Sequence, residues 1–356
     1  MATAVRSFVL CAGARAAAHI RANGLRPADI SCVPAAAGGP KGLALLPLDR
    51  LLFDPARGWL REAGNLELIG ASIGAWRMAA AAMPDPLAAL DRLANGYIAQ
   101  TYPRDPTPQY VADECRKLAR AVLGNARSVD VRPGLSLAII TARAHGPLDR
   151  NGSRAGFARA ALANALSRSR LAAHLRRVLF TAGPSRFPAS PFDRFGVDRV
   201  ALDAHNSEDA LLASGSIPLV CAPVRSPAGA PRGEYWDGGL IDYHLLLPYS
   251  QLPGLVLYPH FVPYVTPGWL DKFLPWRQRP RAHAWLDNVL VVAPSPPFLT
   301  RLPNGKLPDR NDFHRYGLDQ AARQRDWRRA IGESGRLADD VLAWLERPDP
   351  SLVQPL

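Results

Sequence analysis

The residue of this 356-residue chain that could most clearly take part in a reaction is a serine with one glycine two positions before it and another two positions after it. The sequence Gly-Ala-Ser-Ile-Gly, from Gly70 to Gly74, follows the apolar run Leu-Glu-Leu-Ile and leads into a helix-like run from Trp76. A serine on a tight strand-to-helix turn needs small neighbours, because the backbone there is strained and the following helix packs close behind it. The pattern predicts that Ser72 is a nucleophile near the positive end of a helix.

A glycine-rich turn further upstream could supply an oxyanion site. It reads Ala-Ala-Gly-Gly-Pro-Lys-Gly and ends at Gly42. The amides of Gly38 and Gly39 lack covering side chains, so they can point at the oxygen that becomes negative when a carbonyl is attacked. A nucleotide site fits less well, because Ala37 replaces the first glycine of G-x-G-x-x-G and Lys41 is not followed by Ser or Thr. A simple tight turn is the alternative.

An aspartate followed by two glycines is the third candidate. Asp237, Gly238 and Gly239 come directly after the aromatic sequence Glu-Tyr-Trp. Another chain segment can approach such a turn closely, because the glycines carry no obstructing side chains. On its own this sequence is typical of a turn. In a chain that also has a serine on a tight strand-to-helix turn, it predicts that Asp237 is the base that takes the proton of Ser72.

A histidine could assist or replace this carboxylate. Imidazole is the usual base of serine hydrolases, and the order Ser, Asp, His is that of α/β-hydrolases. His244, His260 and His314 are available, and His244 is the strongest candidate, with ordinary packing as the alternative for each. In a dyad, Asp237 must contact Ser72 directly, and partial burial would raise the pKa of Asp237 into a useful range.

The three motifs, in this order, resemble those of the patatin-like phospholipase family. The segment Ala-Leu-Leu-Ala-Ser-Gly-Ser-Ile-Pro over residues 210–218 is also similar to the family segment that precedes the aspartate, so the resemblance spans residues 30–245. It implies a three-layer α/β/α fold with a mostly parallel central sheet, and hydrolysis of lipid acyl esters by a Ser-Asp dyad without metal or organic cofactor.

Carried over to this chain, the resemblance implies Ser72 as nucleophile, Asp237 as base and the backbone of Gly38 and Gly39 as the oxyanion site. The supporting motif residues are Lys41, Gly42, Gly70, Gly74, Gly238 and Gly239. The chain has lysine at position 41 where the family usually has arginine. After the second glycine of Asp-Gly-Gly it continues Leu-Ile-Asp-Tyr-His-Leu rather than toward Asn-Pro, which leaves the shape of the acyl pocket open.

The elements that must position these residues are visible as alternating short apolar runs and helical patterns. Strands buried on both faces of a parallel sheet read this way. Strands are predicted at 30–33, 66–69, 135–140, 178–180, 200–202, 255–258 and 289–292, and helices at 43–52, 76–83, 86–100, 154–177, 207–214 and, as one or two helices, within 315–346. We expect one hydrolase domain over residues 1–356, with a motif-bearing core at 30–262 and a loop-rich and helical C-terminal extension at 263–356.

Composition and charge narrow the functional classes. The net charge is +12 and the pI is near 10.1, but the positive residues are scattered arginines with only four lysines, which argues against a nucleic-acid groove. A basic surface would attract anionic lipid head groups. The four cysteines form no C-x-x-C pair, which favours reduced thiols over disulfides or zinc, and the N-terminal apolar stretch is interrupted by Arg15, which argues against a signal peptide. We expect a cytoplasmic protein that can contact a membrane peripherally, and the oligomeric state stays open.

Three functions therefore remain. The first is a serine acyl hydrolase of lipid esters, similar to phospholipase A or lysophospholipase. The second is an esterase on non-lipid esters such as hydroxyacid polyesters or their oligomers. The third is a non-catalytic basic module, associated with membrane or nucleic acid, that keeps a hydrolase fold.

Overall fold

The computed structural model describes residues 6–148, 154–187, 192–278 and 283–356. Within these ranges eleven strands join in one sheet, in the order β11-β1-β10-β9-β2-β3-β4-β5-β6, with the hairpin β7-β8 attached to β4. The strands are β1 Phe8–Ala12, β2 Ile30–Ala35, β3 Leu66–Ala71, β4 Leu135–Ala144, β5 Leu175–Ala182, β6 Val197–Ala201, β7 Val224–Arg225, β8 Glu234–Asp237, β9 Leu255–Pro259, β10 Val289–Pro294 and β11 Val353–Pro355.

The centre of this sheet is parallel. Strands β10, β9, β2, β3 and β4 run parallel to one another. The pairs β1 with β10, β4 with β5, β4 with β8 and β7 with β8 are antiparallel. Every residue of β2, β3, β9 and β10 is buried, which explains why these strands read as continuous apolar runs. The predicted α/β/α architecture with a mostly parallel sheet is confirmed.

Helices cover the sheet and connect its strands. They are α1 Ala14–Asn23, α2 Leu46–Phe53, α3 Ile73–Ala82, α4 Pro86–Ala99, α5 Pro108–Leu123, α6 Arg154–Leu166, α7 Arg168–Leu171, α8 Ser207–Gly215, α9 Pro296–Leu299, α10 Asn311–Tyr316 and α11 Gln320–Glu346. All residues of α3 are buried, and its run of alanines lets the helix pack closely on β3 and β4. The glycine turn leads into a short 3-10 helix, Gly39–Leu45, which continues into α2.

Several local predictions differ from the structure. The helix predicted over 154–177 is wrong at its C-terminal end, because the chain breaks after α6 and α7 and enters β5 at Leu175. Arg177, the last residue of the predicted helix, lies in β5, and its side chain makes ion pairs with Asp193 and with the buried Asp242. Strand β1 and helices α1 and α5 were not predicted. In the C-terminal region α11 runs unbroken through Gly332 and Gly335, and the helix boundary lies at Gly317, whose φ is 52°.

The region after residue 262 contributes to the sheet as well as to loops. Strand β10 lies between β1 and β9, and α11 packs against α2. The division into a core and an extension at residue 263 therefore stays a prediction. Across the four described ranges, no helix combines the length and the apolar character that crossing a bilayer requires.

Candidate active site

Ser72 occupies a strained turn between β3 and α3. Its backbone has φ 55° and ψ −132°, a positive φ that costs a residue with a Cβ about 1–3 kcal/mol. The close packing around the turn explains both glycines of the motif. A Cβ on Gly74 would lie 1.9 Å from the carbonyl oxygen of Ala35, and one on Gly70 would lie 2.4 Å from the carbonyl carbon of Gly74. The turn has the geometry of a nucleophile elbow.

The sheet brings Ser72 and Asp237 together through one edge of β4. On this edge β3 runs parallel to β4 and ends with Ala71 opposite Ile140, while β8 runs antiparallel and ends with Asp237 opposite Thr141. Strand β5 occupies the other edge. Two strands that run toward each other therefore end against consecutive residues of β4, so Ser72 and Asp237 become neighbours although they are far apart in sequence.

The C-terminal end of α8 is hydrogen-bonded to the ends of both β3 and β8. The Ser72 amide donates to Ser214 Oγ at 2.9 Å, and Ser214 Oγ donates to the carbonyl of Ile140 at 2.7 Å. The amide of Asp237 donates to the carbonyl of Ser216 at 2.8 Å. These bonds hold the elbow and Asp237 in register, and they give a physical reason for the serine at position 214 of the segment 210–218.

The two side chains form a buried polar pair. Ser72 is 4 % exposed and Asp237 is 6 % exposed. Burial raises the pKa of Asp237 to about 6, against the opposing effects of a side-chain hydrogen bond with Ser72, the charge of Arg310 and a hydrogen bond from the amide of Gly239. That amide donates to Asp237 Oδ1 at 2.7 Å. The carboxyl therefore titrates close to neutral pH, where a general base is most effective.

The glycine turn presents unpaired amides to the same place. The amide of Ala37 donates to the carbonyl of Tyr243 at 2.9 Å, but in the described part of the chain the amides of Gly38 and Gly39 have no acceptor. Both glycines line a cavity together with Ser72. The amide of Ile73, the first of α3, likewise has no acceptor among the described residues, and sequence analysis did not identify it. These amides are available to an oxyanion.

The remaining glycines permit close packing around the turn. A Cβ on Gly42 would lie 2.8 Å from the Ile73 side chain, and one on Gly238 would lie 2.3 Å from the carbonyl oxygen of Ile140. Lys41 makes no ion pair within the described residues; its ammonium lies 5.2 Å from the centre of the Phe261 ring and faces the cavity.

Buried ion pairs support the loop after Asp237. Arg177 donates to both carboxylate oxygens of Asp242, Nε to Oδ2 at 2.6 Å and Nη2 to Oδ1 at 2.9 Å, and it also contacts Asp193. Arg168 Nη2 donates to the carbonyl of Ile241 at 2.6 Å. Sequence analysis missed this network, although a charged residue beside the apolar stretch at 178–180 was a usable signal.

The structure places neither His244 nor His260 at the Ser72 and Asp237 pair, whereas His314 lines the larger of two cavities at Ser72. His244 is buried and stacked on Tyr243, its Nδ1 accepts from the amide of Thr266 at 3.0 Å, and it lines neither cavity at Ser72. Burial holds the pKa of His244 well below its usual value. His260 is also buried, with its Nδ1 accepting from the amide of Val262, and burial lowers its pKa to about 3.

Two cavities meet at Ser72, Ile217 and Arg310. The smaller, of about 150 Å³, has a lining that mixes charged and apolar residues: Ala37, Gly38, Gly39, Lys41, Asp237, Gly239, Leu240, Tyr243, Pro218, Trp269, Lys272, Asp309 and Asn311. The larger, of about 600 Å³, is mostly apolar, and its lining includes Trp76, Tyr97, Tyr102, Val111, Leu118, Leu219, Val220, Phe313, His314 and Leu318. Sequence analysis missed Arg310 and Lys272 because no local motif marks them.

Fold and site together define a class, an α/β/α protein that holds a serine on a nucleophile elbow beside a buried carboxylate. A comparison with protein-family models narrows the class. The model of the patatin-like phospholipase family matches residues 67–247, just over half of the chain. The chain belongs to the patatin-like phospholipase family, a family of lipid acyl hydrolases. No curated protein matches it. The matched region contains the elbow and Asp237 but not the glycine turn or Arg310.

Proposed function

We propose that the protein is a serine acyl hydrolase that cleaves carboxylic esters of lipids, in the manner of a phospholipase A or lysophospholipase, with Ser72 as nucleophile and Asp237 as base. One observation carries the proposal: Ser72 and the buried carboxyl group of Asp237 line the same cavity, which holds charged side chains and meets a mostly apolar cavity at Ser72. Such a junction suits an ester that joins a polar alcohol to an apolar chain.

In the proposed reaction Asp237 accepts the Ser72 proton as Oγ attacks the ester carbonyl. The carbonyl oxygen becomes negative and receives hydrogen bonds from the amides of Gly38, Gly39 and Ile73, which need no reorganisation because they are fixed by the turn and the helix start. The tetrahedral intermediate collapses, the C–O bond to the alcohol breaks, and the protonated carboxyl returns its proton to the leaving oxygen. Water then attacks the acyl-enzyme with the same carboxylate as base, and the fatty acid leaves.

The larger cavity is the proposed acyl site. Its volume of about 600 Å³ lies within the range of about 300–1,000 Å³ that is common for ligand pockets. Aromatic and aliphatic side chains such as Tyr97, Leu118 and Phe313 face it. Each buried methylene contributes about 0.8 kcal/mol. We therefore expect kcat/KM to rise with acyl length until the cavity is filled.

A fluorophosphonate label on the intact protein tests the proposal. The label should modify Ser72 and no other serine, and Ser72→Ala should abolish both labelling and ester turnover. Ser169→Ala, a change at an exposed serine in α7, is the matched control and should leave both intact. Absence of labelling in the folded wild-type protein would instead favour a non-catalytic module.

A substrate panel separates the two enzymatic hypotheses. Phospholipids, lysophospholipids and hydroxybutyrate oligomers should be compared at equal ester concentration. Lipid esters should be the better substrates, because the oligomers have no long apolar segment to fill the larger cavity. Faster cleavage of the oligomers would replace the lipid proposal with the polyester one.

We also propose that the protein contacts anionic membrane surfaces peripherally. Phe273 and Trp276 are 61 % and 71 % exposed, close in sequence to Lys272 in the smaller cavity, and Leu219 and Leu318 are exposed side chains of the larger cavity. Exposed apolar side chains beside both cavities, on a chain of net charge +12, suit contact with a lipid interface.

A further inference from the structure

Three positively charged side chains converge on the smaller cavity beside Ser72, namely Lys41, Lys272 and Arg310, here called the cation cluster. We propose that the cation cluster binds an anionic group, a phosphate monoester or a carboxylate, on the alcohol part of the ester. The enzyme then prefers acyl esters of anionic alcohols over esters with neutral or zwitterionic alcohols. This inference rests on the proposed function and adds the chemical class of the leaving group.

The cation cluster lacks protein counter-ions. Within the described ranges, none of its three side chains has a carboxylate at salt-bridge distance, and none donates a side-chain hydrogen bond to a described residue. Two carboxylates do line the cavity. Asp237 accepts from the amide of Gly239. Asp309 pairs with Lys306 at 3.0 Å and accepts from the amide of Asn311, and its charge also acts on Lys41.

Aromatic rings hold the lysines without neutralising them. The Lys272 ammonium lies 4.7 Å from the ring centres of both Trp269 and Phe273, and Lys41 lies 5.2 Å from that of Phe261. Cation–π contacts stabilise a charge by the ring quadrupole, yet they leave its N–H donors free for an anion.

The three half-buried cations of the cluster act on one another through their charges. Burial and the charges of Arg310 and Lys41 lower the pKa of Lys272 to about 8, and burial also lowers the pKa of Lys41. An anion in the cavity would oppose both effects, because it favours the charged form of each lysine. The electrostatics of the cation cluster therefore favour an anionic ligand in this cavity.

Arg310 determines where the anion lies relative to the ester. It lines both cavities, and its Nε is 3.2 Å from the position that a Cβ on Gly39 would occupy, so the guanidinium lies against the candidate oxyanion turn. With the acyl chain in the larger cavity, the alcohol part must enter the smaller one. A cavity of about 150 Å³ holds a group about the size of benzene, enough for a phosphate or a carboxylate.

Esters that differ only in the charge of the alcohol test the inference. The first set is 1-decanoylglycerol 3-phosphate, its phosphocholine ester and uncharged 1-decanoylglycerol. The second set is 3-(decanoyloxy)butanoate and its methyl ester. The first set tests phosphate and the second tests carboxylate, and kcat/KM is measured for each below its critical micelle concentration. We expect the anionic member of at least one set to exceed its uncharged partner by about tenfold or more, the effect of one charge-assisted hydrogen bond.

Variants then assign the preference to the cation cluster. Lys272→Met and Arg310→Met should each reduce the ratio of anionic to uncharged kcat/KM by about tenfold, and Lys272→Glu should reverse the preference. Lys117→Met is the matched control, because it removes one lysine charge from an exposed position of α5, and its ratio should equal that of the wild type.

A binding measurement keeps the inference testable if a cluster variant is unstable. Calorimetric titration of the Ser72→Ala protein with decyl phosphate should give an affinity at least about tenfold higher than with 1-decanol, and high salt should weaken it. Equal affinity for both probes, or a wild-type ratio near one for both ester sets, would overturn the inference. If uncharged esters are cleaved through Ser72 without any charge preference, only this inference fails; if no ester is cleaved, the proposed function fails with it.

Discussion

At the scale of single residues, the burial of Asp237 has a consequence for pH dependence. Its pKa is raised to about 6, so below that pH the carboxyl is protonated and cannot accept the proton of Ser72. For a soluble p-nitrophenyl ester, kcat/KM should fall about tenfold for each pH unit below 6 and level off above about 7. Rates from pH 4.5 to 8, with circular dichroism at each pH to confirm folding, check this expectation. A single limb centred at pH 4 or lower would contradict the assignment of Asp237 as base.

The choice between a dyad and a triad is also made by single residues. Asp237→Asn should reduce kcat by at least about a thousandfold, because the amide cannot accept the proton. His244→Gln should retain most of the activity, since His244 lines neither cavity and its Nδ1 accepts from the Thr266 amide. Melting temperatures of both variants separate lost catalysis from lost stability. Loss of activity in folded His244→Gln comparable to that in Asp237→Asn would favour a triad.

At the scale of elements, α8 is the part that keeps the elbow and the aspartate strand in register. Ser214→Ala removes the acceptor of the Ser72 amide and the donor to Ile140, and should lower kcat by about tenfold to a hundredfold, with a cost of about 1–3 kcal/mol in the free energy of unfolding. Ser334→Ala is the control, because the hydroxyl of this buried serine donates to the carbonyl of Ala330 within α11. Steady-state kinetics and urea unfolding distinguish the two. An equal, purely structural effect of both changes would remove α8 from the positioning of the site.

The ion pair between Arg177 of β5 and Asp242 in the loop after β8 is the basis of a second prediction at this scale. Arg177→Met should cost about 3–5 kcal/mol in the free energy of unfolding, because the buried carboxylate of Asp242 then keeps only the longer contact with Arg168, at 4.0 Å, and Asp193 also loses its contact with Arg177. The double variant Arg177→Met, Asp242→Leu should recover part of that loss, since it removes the buried carboxylate that has lost its bidentate partner. Urea unfolding measures both. A double variant less stable than the single one would show that the pair stabilises the fold by more than its desolvation cost.

At the scale of the whole molecule, charge and exposed apolar side chains predict membrane association. The protein should sediment with vesicles that contain phosphatidylglycerol and much less with phosphatidylcholine vesicles, and salt should weaken the binding. Trp276→Ser with Phe273→Ser should reduce binding to the anionic vesicles, because both side chains are largely exposed. Turnover of a soluble short-chain ester by the same variant shows whether the protein remains folded. Binding that persists in this variant at high salt would contradict the proposed surface.

The amino-acid sequence by itself determined the features that depend on short stretches of chain. The buried strands appeared as apolar runs, and the elbow appeared as a serine between two glycines, because both reflect local burial and local sterics. The order of the motifs was enough to identify the family. Helix α5 was not predicted. The helix predicted over 154–177 extended into β5, because the sequence does not distinguish an arginine on a solvated helix from one in a buried ion pair, such as Arg177.

Only the tertiary structure decided which of these features meet. Ser72 and Asp237 are neighbours because the C-terminal ends of β3 and β8 meet on one edge of β4. The register of these strands is not encoded in any local sequence pattern. The same holds for Lys272 and Arg310, which reach the smaller cavity from a region without a motif. Contacts between distant segments depend on how the whole chain buries its apolar surface. The free energy of this burial comes from the entire core and not from the few residues of the candidate site, so no local sequence pattern encodes it.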